Sequence, residues 1–370
     1  MAPHSQPLVV AALGGAPPTP ETGIEGPVVL FASLDALMSA PAGSLCGKIA
    51  VVEQRTPRMQ DEDAYQVTAR ARALGPIEAA RRGAVAFLLR SIGTDSHRLA
   101  HTGSTHYVDG KVPIPAFALS APDADQLERL AALQRPATVR LFSSAHYVPG
   151  AMSQNVVADI PGTDRAGEIV LLGAHLDSWE LGTGAIDDGA GDAIIVGAAK
   201  LIADLPERPR RTIRVVLYGA EEANEPGGRP LGNHFYVLKH SDEIARHVLT
   251  GESDFGADRV YAVSLSDKMA NSPFGKAVRD VLSPLGILPA SKGPGRGGVD
   301  VGPLVEAGVP DFLLEQDGTR YFDIHHTSDD TLDKIDPEQL NQNVAAWAAL
   351  VWLAADSSTD FRAIEKEAQP

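Results

Sequence analysis

Residues 168–191 read EIVLLGAHLDSWELGTGAIDDGAG, and this stretch decides the fold. Glu168–Ala174 is a short apolar run of the kind that forms a strand buried in a sheet, and it ends at His175. A glycine-rich turn follows. From Asp188 to Leu205 apolar residues return at helical spacing, at Ile194, Ile195, Ala198, Leu201 and Ile202. The same alternation continues downstream. Thr212–Gly219, His247–Glu252, Arg259–Leu265 and Asp311–Glu315 read as strands, Pro273–Leu285 and Pro337–Ala355 as helices. Strands alternating with helices predict an α/β fold, a mostly parallel sheet covered by helices.

Upstream the texture differs. Gly47–Glu53, Ala84–Leu89 and Pro113–Leu119 read as strands, Pro122–Leu133 as a helix, and Ile77–Gly83 as a helix end. Ser91–Gly110 is polar and rich in His, Thr, Ser and Gly, which marks a loop. Nothing in this block resembles a catalytic cluster. Three divisions follow: an N-terminal segment 1–24, a first block 25–142, and a second block 143–370. The apolar run Pro7–Leu13 is expected to be a core strand. It has no basic leader and is too short for a secretory core or a membrane span, so the chain as it reads carries no export signal.

Composition narrows the function classes. The chain has 370 residues, 44% of them hydrophobic, which suits a globular protein of two domains. Its net charge of −16 argues against nucleic acid as a partner, because phosphate binding needs clustered Lys and Arg. Cys46 is the only cysteine, so no intramolecular disulfide can form. It sits among small residues with no histidine nearby in sequence, and a buried bystander thiol is expected.

The chemically versatile residues fall directly after strands, where ligands bind in open α/β sheets. His175-Leu176-Asp177 lets a carboxylate hold the imidazole's second nitrogen and fix its tautomer, although His-x-Asp alone is a weak signal. Asp187 and Asp188 stand between glycines at a helix start, which suits either a carboxylate bridging two cations or an ordinary N-terminal cap. Glu221 and Glu222 follow a buried strand. Adjacent acids there repel unless a cation compensates, and one can ligate while the other serves as a base. A solvated acidic loop is the bland alternative. Glu252-Ser253-Asp254 is unremarkable alone, with Asp258 and Asp267 as rivals. His325 and His326 lie in an acidic loop near aromatics, with Asp330 four residues past the second. Each piece is ambiguous; the ordered set is not.

With these motifs in hand, AHLDSW, GAIDDGAG, YGAEE, ESD and HHTSDDT resemble, in order, the five metal motifs of the M28 family of co-catalytic zinc peptidases. GGVDVGPLVEAGVP and DGTRYFDIHHTSDDTLDKID are similar to the carboxypeptidase Q branch of that family. The resemblance implies a zinc exopeptidase fold in residues 143–370, with 25–142 as an inserted protease-associated-like domain. It implies two zinc ions per chain, one on His175 and Asp254, the other on Glu222 and His326, with Asp187 as the bridge. Glu221 would be the general base acting on a water shared by the metals, Asp177 would orient His175, and the Asp187–Asp188 peptide would be cis. Relatives carry a leading segment with an export signal, placing them in the periplasm or outside the cell. The partner implied is a peptide or dipeptide, with neither nucleic acid nor membrane, and a homodimer is compatible with the pattern.

Metal motifs do not say which end of the substrate is read. Arg320 is the only Lys or Arg in Asp317–His326, and its planar fork suits a carboxylate. Arg320 or His325 is therefore expected to contact a substrate's free C-terminus, giving carboxypeptidase or dipeptidase activity. The bland alternative pairs Arg320 with Asp323 or Asp317. An M28 aminopeptidase, a single-zinc glutaminyl-cyclase-like transferase, and a non-catalytic receptor-like protein on the same fold are the rivals.

Overall fold

The computed structural model describes residues 5–134, 137–148, 150–223, 231–293 and 297–366. Thirteen strands run through it: β1 Val10–Ala12, β2 Ile24–Phe31, β3 Ile49–Val52, β4 Ala86–Arg90, β5 Ala116–Leu119, β6 Thr138–Leu141, β7 Val156–Ile160, β8 Arg165–His175, β9 Arg211–Tyr218, β10 His247–Glu252, β11 Val260–Leu265, β12 Leu288–Pro289 and β13 Phe312–Gln316.

In the second block the strands stand in the order β7-β9-β8-β10, and β13-β11-β12 continue beyond a parallel bridge from Thr250 to Asp311. β8, β9 and β10 are parallel to one another. They are also apolar on both faces, for a visible reason. Val170 and Leu172 face one core with Ile194, Ile195 and Ala198 of helix Ala190–Ala203 and Trp347 and Leu350 of helix Pro337–Asp356. Ile169 and Leu171 face the other, with Tyr236 and Leu304. A strand covered on both sides needs an unbroken apolar run, and residues 169–172 supply one.

β7 was not foreseen. It is the antiparallel edge strand on β9, and its first four residues are exposed, so it has no buried run to read.

The first block is a six-stranded sheet in the order β1-β5-β4-β3-β2-β6, with β2 to β5 parallel and β1 and β6 antiparallel at its edges. Val10–Ala12 therefore joins the same sheet as strands of residues 25–142, rather than standing apart with the N-terminal segment. Helix Asp63–Arg81 packs on it, and Gly75 makes this contact feasible: a Cβ there would lie 2.2 Å from the Phe87 ring. Cys46 is exposed, contrary to the buried position expected, because it sits in the turns before β3 rather than within the strand.

The two blocks share a core. Tyr65, Phe87 and Ile92 of the first pack in one cluster with Ile186, Tyr321 and Phe322 of the second. Arg58 adds a two-pronged ion pair to Asp323, at 2.6 and 2.7 Å. These contacts dock the first block onto the loop that carries His325 and His326. Among the described residues no helix is long and apolar enough to cross a membrane.

Candidate active site

The parallel strands β8, β9 and β10 of the second block each deliver an acid or imidazole to one rim. β8 ends on His175, β9 leads to Glu221 and Glu222, and β10 leads to Asp254. The turn before helix Ala190–Ala203 brings Asp187, whose peptide to Asp188 is cis. The loop after helix Tyr321–Ile324 brings His325 and His326, the latter at φ 58°. Part of the YGAEEANEPGG stretch, residues 224–228, lies outside the described residues.

Side-chain atoms from five of these residues converge. His175 Nε2 lies 3.2 Å from Asp187 Oδ1 and 3.4 Å from Asp254 Oδ1. His326 Nε2 lies 2.7 Å from Glu222 Oε1 and 3.1 Å from Asp187 Oδ2. Two groups of three ligand-type side chains thus share Asp187, one carboxylate oxygen facing each group. His175 Nε2, Glu222 Oε1 and Asp254 Oδ1 are buried and make no hydrogen bond despite these short separations. Lone pairs that crowd a common point without bonding one another fit a shared cation. The donor set of imidazole and carboxylate suits zinc.

The electrostatics carry the same message. Burial works to lower His175 and His326, yet carboxylates outweigh it and hold both imidazoles well above their usual range: Asp254 and Asp187 for His175, Glu222 and Asp187 for His326. Burial works to raise Asp187, and His325, His175 and His326 overcome it to hold the carboxyl well below its usual range. Burial, then the neighbouring Glu222, pushes Glu221 well up. Acids packed this densely, paired with histidines and, among the described residues, with no Lys or Arg, need positive charge, which protonated imidazoles or metal ions can provide.

The surrounding bonds aim the ligands. Asp330 accepts from the backbone of Ile186 at 2.6 Å and of Asp187 at 3.3 Å, clamping the turn. Asp188 accepts from His175 N at 3.2 Å and Gly191 N at 3.0 Å, so it serves the backbone. Gly191 leaves room for this, since a Cβ there would lie 2.3 Å from the Asp188 carboxylate. Trp179 Nε1 donates to Glu222 Oε2 at 2.5 Å. Thr102 O accepts from His326 Nδ1 at 3.3 Å, and Ser104 Oγ donates to Glu222 O at 3.1 Å. Thr102 and Ser104 belong to the polar loop in which the sequence suggested no catalytic part. Nothing local to that loop signals the role, because its partners lie more than 100 residues away.

For three residues the structure shows contacts that the sequence did not supply. Asp177 was assigned to orient His175 with its carboxylate, but His175 Nδ1 bonds the Asp177 backbone carbonyl at 2.8 Å. The Asp177 carboxylate lies 3.8 Å from that nitrogen and instead accepts from Glu221 N at 2.8 Å and Glu222 N at 3.1 Å. It orients the acidic pair. Arg320 pairs with neither Asp323 nor Asp317 but with Asp258, at 3.2 and 3.3 Å, and remains half-exposed. His325 is buried, its Nδ1 3.0 Å from His101 and its Nε2 3.4 Å from Asp187, so both nitrogens face protein. Of the rivals to Asp254, Asp258 holds Arg320 and Asp267 opens the helix Asp267–Ala270.

Asp177→Ala tests the first of these. Losing acceptors for two backbone N–H groups beside Glu221 is expected to cost roughly ten- to a hundredfold in turnover, from about 1.5–3 kcal/mol for hydrogen bonds to a charged group. Metal content should stay unchanged. Depleted metal in this variant would return Asp177 to the role of orienting His175.

The sequence profile of peptidase family M28 matches residues 155–351. Carboxypeptidase Q of Mus musculus is 35% identical over 355 residues, covering 96% of this chain and 72% of that protein. The crystal structure of a peptidase M28 precursor from Shewanella amazonensis superposes with a TM-score of 0.86 at 45% identity, covering 97% of this chain and 80% of the other. The zinc aminopeptidase BSAP of Bacillus subtilis superposes with a TM-score of 0.64 at 21% identity, covering 98% and 81%, a likeness of fold.

Proposed function

Given that this chain belongs to peptidase family M28, we propose that it is a two-zinc exopeptidase that hydrolyses dipeptides or short peptides. The observation that supports the reading best is the pair of ligand groups sharing Asp187, with three buried ligand atoms left without hydrogen bonds. His175 and Asp254 would hold one ion, Glu222 and His326 the other, and Asp187 both. When bound, the ions would polarise the scissile carbonyl and lower the pKa of water towards neutrality.

The chain's own residues would do the rest. Glu221 takes a proton from the attacking water and delivers it to the leaving amine. Burial and the adjacent Glu222 push the Glu221 carboxyl upward, the direction that brings a carboxylate's proton affinity towards what a base at neutral pH requires. Asp177 holds the Glu221 backbone while this happens. Strand β1 and residues 25–142 would form a protease-associated-like unit that roofs the site with its polar loop.

Substrate polarity rests on less. A carboxypeptidase or dipeptidase reading fits the likeness to carboxypeptidase Q and makes Arg320 the candidate for the substrate's C-terminal carboxylate. The Asp258 carboxylate already engaging that guanidinium favours the aminopeptidase reading instead. Turnover of free, N-blocked and C-blocked dipeptides separates them. Free dipeptides should be cleaved and their C-terminal amides should be poor substrates. Arg320→Ala should raise KM about tenfold for free dipeptides and much less for amides, as expected for loss of a charge-assisted contact. Equal effects on both make Arg320 structural; amides as the better substrates would establish an aminopeptidase.

A further inference from the structure

We propose that His101, in the polar loop of the first block, is a positioning residue of the peptidase centre that acts through His325 on the shared carboxylate Asp187. His101 is 1% exposed, and its Nε2 lies 3.0 Å from His325 Nδ1. Two imidazole nitrogens at that distance require one donor and one acceptor. The other nitrogen of His325 faces Asp187 Oδ2 at 3.4 Å, and an ionised carboxylate only accepts. A His325 with a single proton carries it on Nε2 and leaves Nδ1 bare, so that His101 donates from its own Nε2, an atom that the Tyr65 hydroxyl also approaches at 3.5 Å. His101 Nδ1 is then an imine nitrogen, and it is this atom that the fold leaves buried without a partner. An unpaired acceptor at that position agrees with the assignment.

The fold holds this relay in place. Tyr65 stacks on Phe322 with centroids 4.1 Å apart and meets His325 edge-on at 5.3 Å. Its hydroxyl accepts from Arg72 at 2.6 Å. The next residue in the loop repeats the pairing: Thr102 bonds His326 through both backbone groups, N to His326 O at 3.1 Å and O to His326 Nδ1 at 3.3 Å. Residues 101 and 102 thus hold 325 and 326 in register, one pair on the shared carboxylate and one on a ligand imidazole. A loop with no catalytic motif of its own sets the aim of the centre.

The catalytic consequence rests on the peptidase reading; the tautomer assignment does not. Nitrogen-15 spectra of the metal-free protein, labelled at histidine, should show His101 protonated at Nε2 and His325 bare at Nδ1. A His101 protonated at Nδ1 overturns the proposal without any variant. In the zinc-loaded enzyme, His101→Phe, which keeps a ring but loses the donor, should lower kcat about tenfold with KM changed less than about twofold. His101→Gln, whose amide donates from a similar reach, should recover most of that loss. Equal loss in both variants, or none in His101→Phe, reduces His101 to packing. If no peptide is cleaved at all the peptidase reading fails, while the spectra still decide the relay.

Discussion

Glu221→Gln is expected to lower kcat by about 10³-fold, within the range for removing a general base, while both metal ions stay bound. That loss corresponds to about 4 kcal/mol of transition-state stabilisation. Glutamine preserves size and the backbone N–H that Asp177 holds at 2.8 Å, so the change isolates proton transfer. Glu222→Gln is the control. Glu222 Oε1 lies 2.7 Å from His326 Nε2 within one of the ligand groups, so this variant should lose metal as well as rate. Metal analysis beside steady-state kinetics reads both. Equal metal loss in the two variants would mean that the roles of base and ligand are wrongly divided between the neighbours.

Removing the metal should abolish turnover and destabilise the protein. Among the described residues Asp187, Asp188, Glu221, Glu222 and Asp254 are all heavily buried or half-buried around the same rim. Without cations their repulsion must be relieved by protonation, chiefly at His175 and His326, whose imidazoles the surrounding carboxylates hold well above their usual range. Bound ions remove that requirement. They also stabilise by mass action, by about 4 kcal/mol at a thousandfold excess over Kd. Chelation should therefore lower Tm by several degrees, and close to two equivalents of zinc should restore both Tm and activity. Full activity in protein shown by elemental analysis to be free of metal would end the metallopeptidase mechanism proposed for this site.

Most of the site's ligand-type residues were legible because local pattern places them. An apolar run such as Ile169–Leu172 has to be buried on both faces, and the last residue of its strand, His175, is delivered to the rim whatever the loops do. The same holds for Glu221 and Glu222 after β9 and Asp254 after β10. Asp254 was set apart from Asp258 and Asp267 only by the resemblance of its motif to the M28 pattern; among the described residues Asp254 lies beside His175 and Asp187, while Asp258 holds Arg320 and Asp267 opens a short helix.

What the tertiary structure alone decided is what each polar group bonds. Sequence spacing put the Asp177 carboxylate within reach of His175, but the turn after β8 gives that duty to the Asp177 carbonyl and swings the carboxylate to the backbone of Glu221 and Glu222. Arg320 found Asp258, 62 residues away, before either acid in its own loop. His101 and Thr102 meet His325 and His326 across 224 residues, in a loop whose local sequence carries no trace of the contact. The reason is physical. Periodicity and burial are properties of neighbours along the chain, so they can be read from it. A hydrogen bond is fixed by direction within a few tenths of an ångström, and that direction exists only once the two sheets have packed together.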